Sequence, residues 1–254
     1  AAHFERYWIW MPIQVRRMFK KLTSRLPVTS SISRRIRKLF QYADFPTREH
    51  LLSYHFWSDP NDVKSLFRQS VKLSERPIQF ILDEMSLVET SDTIELALFL
   101  ERSYFLKDHN FAYTDKLSMA TGVEVRVPFL DVDLVGAAAK IPSSEKQRGR
   151  IGKFILKKVA ERYLPHSIIY RPKTGFGAPL RKWLRADLAS YLDDKLSKET
   201  ITKRGVFDYH AVKKLIENDR KGIQDNSYTL FALICIELWF QTFIDARGSF
   251  IKKG

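Results

Sequence analysis

Apolar positions along most of the chain recur at intervals of three and four residues, which is the period of an amphipathic helix. The spacing predicts helices in PIQVRRMFKKL, which starts with a proline at a favourable first-turn position, and in SISRRIRKLF. It predicts further helices over 153–164, 179–195, 208–220 and 227–245. The sequence shows no strand–helix alternation and no internal repeat, so the pattern predicts a mainly helical fold.

Capping residues mark several of the helix starts. Asp59 stands before PNDVKSLFRQ, and Asp92 stands before TIELALFLERSYFL with Glu95 three residues later, which is the spacing of a capping box. Asp131 precedes LVGAAAKI. Asp208 and Asn226 precede the last two predicted helices. The helix after Asp92 is apolar nearly all round, so we expect it at the centre of the fold.

The segment GVEVRVPFLD (122–131) departs from the helical period. Three valines alternate with Glu124 and Arg126, which indicates an extended backbone, and Pro128 ends it. Side chains two residues apart on an extended backbone share a face, so Glu124 and Arg126 can pair. An internal salt bridge that orients the segment is favoured over direct catalysis.

Polar groups crowd the wider segment 107–131, where core-type residues such as Leu117, Met119 and Phe129 also occur. Because a buried unpaired charge is costly, polar groups among core residues either bond one another or line a site. For His109 we favour a structural or surface role, since it belongs to no histidine motif. The polar candidates are Asp108, His109, Asn110, Tyr113, Thr114, Asp115 and Lys116.

The segment RPKTGFGAPLRKW (171–183) suits an anion site. Pro172 and Pro179 stiffen its ends, and its glycines allow positive φ and a close backbone approach. Lys173 carries a compact charge suited to a phosphate oxygen, and the helix after Pro179 can offer free N–H groups. An ordinary Pro/Gly surface loop explains the same residues equally well.

The charge of the chain is strongly basic, with 43 Lys and Arg against 29 Asp and Glu, a net +14. Nine cations and no acid lie between residues 11 and 43, and thirteen cations face only Glu145 and Glu161 between 140 and 185. Such blocks suit nucleic acid, anionic lipid or nucleotide phosphates. For residues 11–43 a solvated basic helix face is an equally good interpretation.

The cysteine content and the hydropathy of the chain indicate its compartment and its relation to membranes. The lone Cys235 lies in an apolar run, where we expect it to behave as a small hydrophobic residue in a reducing compartment. No Cys/His cluster has metal-ligand spacing. The apolar stretch 228–244 is short for a membrane span and contains Glu237, which favours a buried core helix.

Two of these segments together resemble a known family. SMATGVEVRVPFLD, followed by RPKTGFGAPLRKWL, resembles the synthetase domain of glutamine-dependent (B-type) asparagine synthetases and the related β-lactam synthetases. The resemblance is strongest over about residues 91–186. It implies that residues 1–254 are the C-terminal helical portion of an α/β adenine-nucleotide α-hydrolase-like (PP-loop) synthetase domain of a cytoplasmic ligase.

The resemblance also implies chemistry. Such enzymes use ATP and Mg²⁺ to adenylate an aspartate-like carboxylate, and ammonia released from glutamine by a glutaminase domain in cis then displaces AMP. It places Lys173 against the acyl-adenylate and pyrophosphate and Asp108 near a functional acidic position. Glu124 and Arg126 match the Glu-x-Arg of the motif and would organise the pocket floor. The expected pocket is completed by Asp115, Lys116 and Gly175.

The sequence departs from the family pattern in two respects. The pyrophosphate loop Ser-Gly-Gly-x-Asp-Ser and the cysteine nucleophile of the glutaminase are absent from these residues. We therefore expect a fragment that is inactive alone, with ATP and Mg²⁺ bound mainly by residues upstream. The alternatives are a basic helical nucleic-acid-binding module and a degenerate, non-catalytic paralogue; the acceptor carboxylate stays open.

Overall fold

The computed structural model describes residues 10–26, 31–74, 76–172 and 178–246, which are mostly helical, with one short antiparallel hairpin among them. Six helices occur among the described residues of the N-terminal part. In chain order they are α1 (Ile13–Ser24), α2 (Ser31–Phe40), α3 (Thr47–Ser53), α4 (Pro60–Lys64), α5 (Arg76–Ser86) and α6 (Thr93–Leu100).

The middle of the chain continues α6 without a break. A π-helix spans Glu101–Phe111 and leads into α7 (Ala112–Met119), and a 3₁₀ turn follows at Pro128–Leu130. The remaining elements of this part are α8 (Val132–Lys140), α9 (Ser143–Lys146), the strands β1 (Gln147–Arg148) and β2 (Ile151–Gly152), α10 (Phe154–Ala160) and α11 (His166–Ile169).

The C-terminal part contains five α-helices and ends in a second π-helix, Phe240–Asp245. The α-helices are α12 (Leu180–Arg185), α13 (Ala189–Lys195), α14 (Lys198–Arg204), α15 (Tyr209–Arg220) and α16 (Ser227–Trp239). The expected mainly helical fold is thus confirmed.

The described residues divide into two compact units, each drawn from three stretches of the chain. The first unit takes the described parts of 1–20, 42–54 and 76–174. Its core is built where α3 and α5 contact α6, which confirms the central position expected for the helix after Asp92. The buried apolar residues of these helices are Leu51, Leu52, Met85, Ile94, Leu96 and Leu100.

The start of α6 differs in detail from the predicted capping box. The Asp92 carboxylate caps the helix, accepting from the Ile94 N–H at 2.8 Å. Glu95 does not return to the Asp92 N–H, because that group donates to the Thr90 hydroxyl while Glu95 accepts from Lys146 at 2.8 Å. A tertiary ion pair between Glu95 and Lys146 therefore takes the place of the local capping hydrogen bond, and this ion pair holds α9 to α6.

The other predicted aspartate caps are confirmed. Asp59, Asp131 and Asp208 each accept from a backbone N–H in the first turn of the following helix, at 2.8–3.0 Å. Asn226 was wrongly predicted to cap its helix. It accepts no capping bond, because its side-chain amide instead donates to the Leu215 carbonyl on α15.

The second unit takes the described parts of 21–41, 55–75 and 175–254 and has its own core. The predicted helix 179–195 is broken within this unit, at a turn where the Leu188 N–H donates to the Trp183 carbonyl at 2.7 Å. The turn allows both Leu184 and Leu192 to reach the core. The core is formed by Leu66, Leu184, Leu192, Leu196, Ile201, Phe207, Val212, Ile216, Leu230, Leu233 and Ile234.

The last helical stretch, Ser227–Asp245, is long and apolar enough to cross a membrane by length and composition alone. Its inner face packs Leu230, Leu233 and Ile234 into the core of the second unit, which confirms a core helix on that side. Its outer face is exposed and includes Cys235, so the thiol expected to behave as a small hydrophobic residue lies at the surface of the second unit. Partial desolvation still raises the pKa of this thiol.

An ion network fastens the end of this stretch to α14. The Arg204 guanidinium donates to both oxygens of Glu237, each at 2.8 Å, and to both oxygens of Asp245, at 2.8 and 2.6 Å. It also lies 5.0 Å from the centre of the Phe240 ring. Hydrogen bonds from Arg204 hold the pKa of Asp245 below its ordinary value.

This lowered pKa predicts an acid-sensitive contribution to stability. The ordinary pKa of Asp245 is 3.8, and the value in the folded chain is lower, so the contribution is fully present above pH 3.8. It is lost as the pH falls through the folded-state pKa. We expect the difference in unfolding free energy between the wild type and Asp245→Asn to stay level above about pH 5 and to shrink below about pH 4.

Denaturant unfolding of both proteins across this pH range measures the difference. Asp187→Asn is the matched control, because Asp187 is an exposed carboxylate that makes no ion pair in the described part of the chain. A difference for Asp245→Asn that persists unchanged into strong acid would show that the Arg204 contact contributes nothing through this carboxylate.

Candidate functional site

The extended segment predicted from the valine alternation follows a tight reversal at the end of α7. Gly122 has φ +71°, a conformation that favours glycine, and its N–H donates to the Met119 carbonyl at 3.0 Å. Residues 123–127 are then extended, without a ladder partner among the described residues, and the 3₁₀ turn begins at Pro128. The prediction of an extended segment that Pro128 ends is confirmed.

A cleft of about 450 Å³ opens between the start of α7 and this extended segment. Thr114, Asp115 and Lys116 give it polar groups, while the valines of the extended segment supply an apolar wall. An ammonium and a carboxylate beside an apolar wall can hold a small polar ligand in one orientation. The lining residues are Phe111, Ala112, Thr114, Asp115, Lys116, Val125, Val127 and Leu130.

The structure therefore brings two of the expected pocket residues, Asp115 and Lys116, onto one cleft. Thr114, which directly precedes them, was among the polar candidates but not among the expected pocket residues, because its hydroxyl is uncharged. Glu124 and Arg126 do not line the cleft. They form an ion pair with 2.8 Å between Oε1 and a guanidinium nitrogen, as the salt-bridge interpretation predicted.

The Glu124–Arg126 pair is largely in solvent, with 64% and 84% of the two side chains exposed. Exposed pairs of this kind contribute at most about 1 kcal/mol. The contribution of this pair to stability is therefore small.

Asp108 lies on the π-helix and faces solvent, where its carboxylate is 3.6 Å from the Lys107 ammonium. It does not line the cleft. The next residue is His109, whose ring stacks on Phe105 with ring centres 4.9 Å apart and meets the edge of Tyr113 at 5.3 Å. These contacts support the structural role expected for His109.

The π-helix is anchored to α5 by a half-buried phenol. The Tyr104 hydroxyl donates to the Glu84 carboxylate on α5. Desolvation, followed by the bond to Glu84, raises the pKa of Tyr104 to about 12. Tyr104 therefore remains a neutral donor at physiological pH, and it fixes the wide-turn segment that precedes the cleft.

Lys173 and Gly175 lie outside the described residues. The residues that precede them in the chain form a hydrogen-bonded cluster at the ends of α10 and α11. Glu161 accepts from Lys158 at 2.9 Å and from the Tyr170 hydroxyl at 2.7 Å, and the Tyr170 ring stacks on His166 at 4.2 Å. The bond from Lys158 lowers the pKa of Glu161, and the bond to Glu161 raises the pKa of Tyr170.

Around the cleft, the core-type residues of segment 107–131 are exposed, which corrects the expectation that they are buried. No element of the described structure covers them. So many exposed large apolar side chains in one region of the chain are uncommon on soluble monomers and indicate an interaction surface. The exposed apolar residues of this surface, which we call the uncovered face, are Leu117, Met119, Val123, Val125, Val127, Phe129, Leu130, Val132, Leu134, Val135, Ile151, Ile155, Leu156, Val159, Tyr163, Leu164 and Ile168.

Among the described residues, no group of three or more His, Cys, Asp or Glu side chains could hold a metal ion. The polar side chains of the cleft, a hydroxyl, a carboxylate and an ammonium, suit a phosphate or carboxylate ligand rather than a metal cage.

Comparison with known proteins places these features in a family. The family model for asparagine synthase matches residues 2–241, which include the cleft and the whole uncovered face. The chain therefore belongs to the asparagine synthase family. No solved structure matches the chain significantly.

Individual relatives agree with this assignment. A Mycobacterium tuberculosis H37Rv protein assigned as a glutamine-hydrolysing asparagine synthetase is 32% identical over 132 residues, 52% of this chain and 20% of that relative. Asparagine synthetase 1 of Bacillus subtilis 168 is 31% identical over 133 residues, 52% of this chain and 21% of the relative. Asparagine synthetase B of Escherichia coli K12 is 39% identical over 70 residues, 27% and 13% of the two chains. The matched region thus spans about a fifth or less of each relative.

Proposed function

We propose that this chain forms the C-terminal helical part of a synthetase domain that makes an amide through an acyl-adenylate. The cleft between α7 and the extended segment carries the proposal. It brings Thr114, Asp115 and Lys116 together beside an apolar wall. It also lies within the region matched to the asparagine synthase family.

The domain assignment rests on the uncovered face. Residues 1–254 would pack this face against the nucleotide-binding α/β (PP-loop) part of the same synthetase domain, carried elsewhere in the protein. Fully burying an exposed large apolar side chain stabilises by about 1.5–3 kcal/mol. The seventeen residues of this face are 36–83% exposed, so covering them would contribute part of that value at each position and would favour the association. A glutaminase domain in cis would supply the ammonia.

In the proposed reaction, an oxygen of the acceptor carboxylate attacks the α-phosphorus of ATP and pyrophosphate leaves. Ammonia then attacks the acyl carbon, AMP departs with the carbon–oxygen bond electrons, and the nitrogen loses a proton. Mg²⁺ would screen the phosphate charges and would be held mainly by residues of the nucleotide-binding part. Aspartate is the acceptor that the relatives' names suggest.

We assign the residues of this chain separate roles in binding the substrates. The Lys116 ammonium can pair with an anionic oxygen of a ligand in the cleft. Asp115 and Thr114 can orient that ligand by accepting hydrogen bonds from a substrate amine. Lys173, with Gly175 allowing a close backbone approach, would meet the adenylate and pyrophosphate. Asp108 faces solvent outside the cleft, and we assign it no step in this reaction. We place the reaction in the cytoplasm, a reducing compartment suited to the lone Cys235.

The first test concerns completeness. We expect the 254-residue chain alone to show no aspartate-dependent exchange of pyrophosphate into ATP above a blank, because the pyrophosphate loop motif is absent from its sequence. Co-expression with the remainder of the parent synthetase should restore exchange. Replacing Leu117 and Phe129 on the uncovered face with Ser should prevent that restoration. These two side chains are 68% and 65% exposed here, and the proposed association would bury them.

Met18→Ser together with Leu22→Ser is the matched control, because these residues are exposed but lie outside the uncovered face. Exchange by the chain alone would overturn the assignment as a fragment. An absence of exchange in the reassembled protein would point to a degenerate paralogue.

A further inference from the structure

The first long helix, α1, is apolar on two faces, and only one of them packs. Thr23 is buried and Phe19 half-buried on the inner face. The Lys20 ammonium next to them is 2.6 Å from Asp44 and 5.7 Å from the centre of the Phe45 ring. These contacts hold the helix in one rotational setting, so its outward residues are fixed as well.

The outward face carries large apolar side chains that nothing in the described structure covers. Met18 and Leu22 are 58% and 62% exposed, and they follow one another along the helix at a spacing of four residues. Ile13 is also exposed, and Trp10 just ahead of the helix is 86% exposed.

A row of cations runs beside these apolar residues. Arg17, Lys21 and Arg25 are spaced by four residues, and each except the last directly precedes Met18 or Leu22 in the sequence. All three are exposed, and no side-chain ion pair engages them in the described part of the chain. All of these residues lie on or next to one continuous helix, so helix geometry alone sets their arrangement.

We propose that this outward face of α1 docks on an anionic phospholipid surface. Adjacent rows of unpaired cations and large apolar side chains are what an interfacial helix presents: the cations meet headgroup phosphates and the apolar groups enter the acyl boundary. Residues 11–43 contain no acid to oppose the negative surface. A nucleic acid would use the cations but would leave Met18 and Leu22 in water, so the lipid surface is the better complement. The docking would hold the proposed synthetase at a membrane surface.

The test is co-sedimentation of the 254-residue chain with phosphatidylcholine vesicles that contain or lack phosphatidylserine. We expect binding to the anionic vesicles that weakens as salt rises. Each cation near an anionic surface contributes about fivefold, so Arg17→Gln, Lys21→Gln and Arg25→Gln together should lower the affinity roughly a hundredfold. Met18→Ser with Leu22→Ser should lower it roughly tenfold or more.

Matched controls separate this face from the rest of the surface. Lys203→Gln, Lys213→Gln and Lys214→Gln remove the same charge from other exposed positions, and Leu117→Ser with Phe129→Ser removes apolar groups from the uncovered face. Both control proteins should bind as the wild type does. Circular dichroism and thermal unfolding check that every variant is folded.

Three outcomes would overturn the proposal. Equal losses in the control and α1 variants would show that binding is a property of net charge or of the uncovered face. Equal binding to neutral and anionic vesicles would remove the role of the cations. Binding to a DNA or RNA duplex that matches vesicle binding, with no effect of the Met18 and Leu22 substitutions, would show a simple polyanion site. None of these outcomes bears on the pyrophosphate exchange that tests the proposed synthetase reaction.

Discussion

Lys173→Ala in the complete synthetase should lower amide synthesis by roughly a hundred- to a thousandfold. The charge on the adenylate and the departing pyrophosphate grows toward the transition state, so the loss should fall on turnover more than on substrate binding. Removing one such contact typically costs about 2.7–4 kcal/mol. Lys173→Arg should rescue poorly, because a planar guanidinium does not replace a compact ammonium next to two glycines.

The measurement is amide synthesis, glutaminase activity and thermal stability side by side for each variant. Lys182→Ala is the matched control, since Lys182 is an exposed lysine on α12, only nine residues downstream. Glutamine hydrolysis and the unfolding midpoint should be unchanged in both proteins. If Lys173→Ala costs no more synthesis than Lys182→Ala, the segment 171–183 is an ordinary surface loop.

The largest effect on stability is expected from Arg204→Ala. The side chains of Arg204 and Glu237 are only 12% and 6% exposed, so the substitution leaves the Glu237 carboxylate buried without its cation. Uncompensated buried charges of this kind cost about 3–5 kcal/mol. Urea unfolding should show a lower midpoint, and Arg204→Lys should recover only part of the loss, because one ammonium cannot reach both carboxylates in the forked geometry.

Arg220→Ala provides the comparison, because Arg220 also contacts both oxygens of a carboxylate, that of Asp193, each at 2.8 Å. That pair is 41% and 54% exposed, and we expect a loss below about 1 kcal/mol. Similar losses for Arg204→Ala and Arg220→Ala would mean that burial does not govern these ion pairs, and the account of the C-terminal network would have to be abandoned.

The aspartate caps show what the sequence can specify locally. Asp59, Asp131 and Asp208 each need only the next few residues to make their bonds, and all three bonds are present. The capping box at Glu95 and the cap at Asn226 were wrong for one shared reason. A partner distant in sequence, Lys146 or the Leu215 carbonyl, offers each side chain a better bond, and no local pattern contains that partner.

Burial was harder to predict than helicity. The helix α16 is apolar nearly all round, so its pattern could not say that Leu230 and Leu233 face inward while Cys235 faces out. For the same reason the exposure of Leu117 and Phe129 could not be foreseen. Hydrophobic composition signals that a side chain has a partner, and it does not signal where in the protein that partner lies.

The sequence indicated two of the residues that line the candidate cleft, and it did not indicate the geometry of the cleft. Asp115 and Lys116 stood out as adjacent charges among core-type residues, and they do line the cleft. Asp108 attracted attention in the same way, yet it lies on a stretch of π-helix that turns it toward solvent. No residue pattern indicated those wide turns, so the direction in which the Asp108 side chain points could not be predicted from the sequence.

The wide turns of Glu101–Phe111 also make this part of the chain intolerant of changes in length. The residues from Thr93 to Met119 form one uninterrupted helical rod. A single deletion anywhere in its middle would tighten the winding and rotate everything downstream by about 100°. Asp115 and Lys116 would then swing away from the valines that complete the cleft, although neither residue had been altered. Natural variation in this stretch should therefore substitute freely at exposed positions while keeping the number of residues constant.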